Sequence, residues 1–302
     1  MEIADPTRSN RAEALSIFLV IAGSVLYSSK SLFVKHLMEI GAEAGDVLSL
    51  RLAWAAPVYL AVVFWSLSRR DVALTDLVKM SALGWLGFWL APRLNFAGLG
   101  STSAGLERIL IQSSTAFVIL FVALRSRKPP KAIVTISVFV CYAGMVLAMA
   151  GRDQGRAFAD PAGAVLIVAA AAAWATFVVG VGPLQKSMGS AFSTSVGMAA
   201  AAVPATTESV INGHATLFAA APSGWIAPML GLVALGTVIP SFMAQAGLAR
   251  VGPVRSSILA LAGPAILPLL AMWSLGETMP WQQIAGLAVV LASCAAMSLR
   301  TG

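Results

Sequence analysis

Ten stretches of this chain are each mainly apolar and about 20 residues long, the length an α-helix needs to cross the hydrocarbon of a bilayer. They are 14–37, 45–67, 78–99, 103–124, 131–150, 161–181, 191–211, 225–247, 254–274 and 281–299. The gaps between them are short, so no soluble domain fits between spans. Within a bilayer every backbone polar group must be satisfied by the protein itself, so apolar runs of this length are read as helices. Composition agrees: 11% of residues are charged, against about 25% in an ordinary soluble domain. The net charge of +7 is no nucleic-acid footprint, because the bases cluster in short loops between apolar runs. Cys141 and Cys294 lie inside apolar runs without a spaced Cys or His partner. They are expected to pack, and neither a disulfide framework nor a metal site is expected. The first run follows Arg8 and Arg11 as a signal peptide would. It is too long for one and ends in FVKHLMEIGAEAGD rather than at a small-residue cleavage site.

Orientation follows from the loop bases. With the N-terminus in the cytoplasm, the inner side receives Arg8, Arg11, Arg69, Arg70, Lys79, Arg125, Arg127, Lys128, Lys131, Lys186, Arg250, Arg255 and Arg300. The outer side receives the acidic segment 39–46, the mixed segment GRDQGRAFAD, the His214 loop and Glu277. Both termini are then cytoplasmic.

The chain is also written twice, at a spacing of 147–150 residues. Pro57 matches Pro204, Tyr27 matches Trp174, Ala97-Gly98-Leu99 matches Ala246-Gly247-Leu248, and Pro130 matches Pro280. FAGLGSTSAGLERIL aligns with QAGLARVGPVRSSIL. Each half holds five spans, an odd number, so the second must enter the membrane inverted. The expected fold is an all-α membrane protein, ten transmembrane helices as two inverted five-helix repeats over 14–150 and 161–299. Inverted repeats are a recurring transporter architecture, with the binding site near the midplane between halves. Small faces suited to close helix contact sit at Gly23, Ser24 and Ser28, and at Ala169 to Ala173 with Gly180.

These features resemble the drug/metabolite transporter superfamily, specifically a pair of EamA-type domains. The second half carries the terminal signature in SSILALAGPAILPLLAMWSLGETMPWQQIAGLAVVLA, with Pro264, Leu275-Gly276-Glu277 and Gly286. The first half departs from it: Thr115 stands where Pro is expected, and Arg125-Ser126-Arg127-Lys128 replaces Leu-Gly-Glu. The resemblance implies a multi-pass carrier of the bacterial inner membrane, often an exporter of amino acids or other small metabolites.

Ionisable groups within a span cost roughly 2.5–3.5 kcal/mol each on insertion scales and should face a cavity or a partner. Here they are Lys30, Arg51, Arg93, Glu107, Arg108 and Glu208, with Lys35 snorkelling from the end of the first helix. Arg93 and Glu107 flank a hairpin tip near Ser101, about 12 and 9 Å below it at 1.5 Å per residue. An ion pair between them is the plain structural reading. Arg108, about 100° around the helix, is expected to reach headgroups. Lys30, Arg51 and Arg93 against Glu107 leave an excess of positive charge in the outer half of the first repeat. Such a vestibule would draw a carboxylate; alternatively Lys30 and Arg51 donate to carbonyls freed by kinks. Tyr27 shares a helix face with Lys30, and Trp85 and Trp89 form a stripe before Arg93. Trp174, Asn95, Gln112 and Gln245 complete the candidate substrate-binding set, while Trp65, Trp225, Trp273 and Trp281 suit interface anchors.

No nucleotide-binding signature and no nucleophile–base–orienter set is present, so an enzyme is not expected, nor any cofactor. The leading expectation is a secondary carrier of small amphiphilic solutes by alternating access, with membrane lipids its other partners and Glu107 the candidate for proton coupling. The alternatives are an uncoupled facilitator, an exporter of hydrophobic drugs or cations, and a non-transporting membrane scaffold.

Overall fold

The structure, a computed structural model, describes residues 6–69, 71–99, 101–102, 104–149, 161–215, 221–266 and 280–300. Among them there is no strand. The helices follow the apolar stretches in order. α1 is Pro6–Glu39 and α2 is Ala44–Leu67. α3 runs Leu74–Gly84, passes through a π-helical turn at Trp85–Leu90, and continues as Ala91–Leu99. α4 comes in two pieces, Ala104–Ile111 and Ser113–Ser126. α5 is Ala132–Met149, α6 is Pro161–Met188 and α7 is Ser190–Ile211. α8, Ser223–Val251, contains a second π-helical turn at Ala234–Val238. α9 begins with Pro253–Ala260, and α10 is Trp281–Arg300. Pro268, Leu275-Gly276-Glu277, Trp273 and the GRDQGRAFAD segment lie outside the described residues.

Five of these helices are long and apolar enough by themselves to cross a membrane: Glu13–Glu39, Gly45–Leu67, Ile109–Ser126, Pro161–Met188 and Ser223–Val251. The others fall short for visible reasons. The apolar cores of α5 and α10 are shorter, Ala132–Leu147 and Trp281–Ala296. α3 carries Asp76, Lys79, Arg93 and Asn95. α7 is rich in hydroxyls, but these are consumed within the helix: Ser193, Thr194 and Ser195 donate to the carbonyls of Gly189, Ser190 and Ala191. A hydroxyl bonded one turn back brings no unsatisfied polar group into an apolar setting. Large apolar side chains such as Phe18, Phe64, Leu124, Phe139 and Ile211 are well exposed. A water-soluble surface does not spread such residues over so many helices; a lipid-facing one does.

The packing has an internal regularity. α1 packs on α8 and α3 on α6; α2 packs on α7 and α5 on α10; α4 packs on α6 and α1 on α9. Exchanging each helix for the one five places on returns the same set of pairs. Individual contacts obey the same exchange. Gly98 of α3 lies against Gly163 and Ile167 of α6, and Gly247 of α8 lies against Ser16 and Val20 of α1. Gly87 abuts Phe177, and Gly236 abuts Lys30. The two π-helical turns, in α3 and α8, also fall at the spacing of the repeat. The main core joins α2, α3, α6 and α7 around Leu52, Tyr59, Met80, Phe177, Val181 and Met198. There α3 and α7 come so close that a Cβ on Gly84 would collide with the backbone of Gly197.

Candidate functional site

Lys30 of α1 interacts electrostatically with both Arg51 of α2 and Glu107 of α4. Arg51 does so with Tyr27 and Tyr59. Three helices of the first half thus bring two bases, one acid and two phenols into one interior region. The Lys30 ammonium stands 5.6 Å from the centroid of the Tyr27 ring, a cation–π distance. Arg51 is 8% exposed, its Nε is buried without a hydrogen-bond partner, and its guanidinium bonds to no described residue. A buried guanidinium N–H with nothing to donate to is an open claim on an anion.

Glu107 accepts a 2.9 Å hydrogen bond from the Asn95 amide, and the Asn95 carbonyl oxygen is buried without a partner. Arg93 does not take Glu107 as the hairpin geometry allows. It pairs instead with Glu208 of α7, where Nε and Oε1 are 2.5 Å apart. Rise per residue sets a side chain's height along a helix but not its azimuth, and Arg93 projects towards α7. The side chains of Arg108 and Lys35 lie outside the described residues. Gln112 sits half-buried at the break in α4. Next to it the Ser113 hydroxyl is buried without a partner.

The aromatic candidates divide. Trp85 and Trp89, with Pro204, Thr207, Glu208 and Ile211, line a groove of about 440 Å³ between α3 and α7. Trp85 donates its indole N–H to the Ala200 carbonyl at 2.8 Å, whereas the buried indole nitrogen of Trp89 has no partner. Trp174 stacks into a cluster with Phe177 and Phe88, at centroid distances of 5.2 and 6.1 Å. Trp65 and Trp281 are exposed as anchors should be, but Trp225 is buried, packed among Leu37, Val47 and Met229. Cys141 and Cys294 are buried in the α5–α9–α10 cluster.

Gln245 is buried too, and its side-chain oxygen accepts from Gln185 of α6 at 2.8 Å. Sequence reading missed Gln185 because it bounded that span at residue 181, one turn short. It also missed Tyr59, whose hydroxyl lies 2.8 Å from that of Ser241 on α8. A tyrosine in an apolar run gives no sign of its partner on a helix about 180 residues away. On the side assigned to the cytoplasm, Glu13 of α1 pairs with Arg255 of α9 at 2.6 Å.

A bundle of apolar helices with lipid-facing side chains and a few buried charges in its interior defines an integral membrane protein. Residues 161–299 match the EamA-like transporter family. The chain is 30% identical over 291 residues to an uncharacterized transporter, YcbK, of Bacillus subtilis (strain 168), covering 95% of this chain and 93% of that one. A solved crystal structure has the same fold at a TM-score of 0.75, with 16% identity, over 94% of this chain and 96% of that one. The chain belongs to the EamA-like transporter family, and is a multi-pass membrane protein.

Proposed function

We propose that this transporter is a secondary carrier that exports small amphiphilic metabolites bearing a carboxylate, such as amino acids, across the bacterial inner membrane by alternating access. The two five-helix repeats, 14–150 and 161–299, lie inverted in the bilayer with both termini cytoplasmic. The exchange-symmetric helix pairs and the matched π-helical turns support that arrangement. One observation carries the choice of solute: Arg51, nine-tenths buried beside Lys30, has no hydrogen-bonded anion among the described residues. In a low dielectric two adjacent cations are costly unless an anion joins them, and a substrate carboxylate matches the guanidinium fork. Tyr27 offers the apolar side of the solute a face.

Glu107 is the candidate for proton coupling. Its carboxylate is hydrogen-bonded by Asn95 rather than paired with Arg93. By rotating its amide, Asn95 can donate to the carboxylate or accept from the protonated acid. The test is reconstitution into liposomes and uptake of labelled amino acids with and without a pH gradient. Uptake that is gradient-driven and lost on Arg51→Gln supports the reading; absence of uptake for every carboxylate, with uptake of apolar cations, overturns it.

A further inference from the structure

Outside the cation cluster, a second group of titratable side chains joins the two halves of the chain at the end of the bundle assigned to the cell exterior. α1 terminates at Gly41, which takes φ +95. The Ala42 N–H returns to Leu37 O and the Gly41 N–H to Met38 O, a Schellman closure that needs a residue free of Cβ strain. The chain then reverses, and Glu43 becomes the residue that opens α2, without using its side chain as a cap. Asp46 follows in the first turn of α2, 5% exposed. α7 closes in the same manner. Gly213 has φ +86, its N–H bonds Val210 O, and the His214 N–H bonds Ser209 O. Two rigid turns from distant parts of the sequence therefore face each other. One ligand atom from each of Glu43, Asp46 and His214 lies within 4.8 Å of the others, and His214 Nδ1 is in contact with Asp46 Oδ1.

We propose that Glu43, Asp46 and His214 bind one divalent transition-metal ion, with zinc the best fit, which ties α2 to α7. The donor set decides the class. One imidazole nitrogen and two carboxylate oxygens suit a borderline ion bound at about 2.0–2.2 Å, with water in the remaining position. Calcium takes six or more oxygens and magnesium a full octahedron of them, and neither is served by a ring nitrogen. Charge points the same way: with a neutral imidazole the three side chains carry two negative charges, which a divalent ion cancels. The donor atoms lie within 4.8 Å of one another, against the roughly 3.4 Å that separates ligands of a tetrahedral site with bonds of that length. His214 is 36% exposed, and Glu43 is exposed, so an ion has a path in. The spacing rule for Cys and His could not find this site, because its ligands come from two turns that only the fold brings together.

The test is calorimetric titration of tag-free protein in nanodiscs with zinc chloride, with magnesium chloride as the control. The expected result is one saturable zinc site, weakened more than about tenfold by His214→Ala, by Asp46→Asn and by the exposed-site variant Glu43→Gln. His36→Ala should bind like the parent, and magnesium should not bind. Helicity and elution volume identify any variant that fails to fold, and Glu43→Gln, at an exposed position, keeps the test independent of folding. Absence of a saturable zinc site, or equal binding by parent and His214→Ala, overturns the proposal and leaves a plain ion pair. Unaltered binding by Glu43→Gln overturns the three-ligand site.

Discussion

At the residue scale, the account turns on Arg51. An arginine in a membrane interior with no hydrogen bond to a described residue should face a cavity that admits something polar. Arg51→Gln should raise the KM for a transported carboxylate more than tenfold. Arg51→Lys should fall between, because it keeps the charge and loses the bidentate fork; uptake kinetics in proteoliposomes read both. Glu107→Gln should abolish the dependence of flux on a pH gradient while leaving solute binding intact, and pH-driven flux persisting in that variant would remove Glu107 from the coupling role. These residues were legible in the sequence, because an ionisable group in an apolar run is conspicuous whatever surrounds it. Their partners were not. Arg93 had two acids at reachable depth, Glu107 and Glu208, and only the fold puts Glu208 against it. Gln245 announced that it needed a partner, but not that Gln185 would be the one.

At the scale of elements, α3 and α7 depend on the absence of side chains where they cross. Gly84→Leu would drive a side chain into the Gly197 backbone. Overpacking of this kind costs on the order of 1–3 kcal/mol, to be seen as a lowered unfolding temperature in detergent. Gly224→Ala, with nothing within 4 Å of the new methyl group, is the neutral control. The order and spacing of the helices were readable from hydropathy, with their ends displaced by a few residues. The two π-helical turns were not, because a π turn is one extra residue in a helix whose polarity pattern barely changes. The sequence shows only prolines nearby, Pro92 and Pro240, each just beyond its π turn. The break at Gln112 also went unforeseen, since a lone glutamine between an isoleucine and two serines does not stop a helix by propensity.

At the scale of the whole molecule, the reading is of two halves that exchange roles. The sequence matches itself at an offset of 147–150 residues, and the contacts support the proposed duplication: Gly98 stands to α6 as Gly247 stands to α1. What differs between the halves is chemistry. Where the first half places Lys30 against a glycine, the second places Phe177, a charge at one position and an aromatic ring at its equivalent. Inversion predicts that in a chain lacking Cys141 and Cys294, cysteines placed at Ser126 and Ser187 react with a membrane-impermeant thiol reagent from the cytoplasmic side only. Cysteines at Ser101 and Asn212 should react from the opposite side only, and all four reacting from one side would end the inverted-repeat reading. The most direct measurement is competition in proteoliposome counterflow between each labelled amino acid and the amine that lacks only its carboxylate, in the parent protein and in Arg51→Gln. The account predicts that at least one amino acid is carried by the parent, is not displaced by its amine, and is no longer carried by the variant. Equal displacement by the amine, or unimpaired transport in Arg51→Gln, would contradict it.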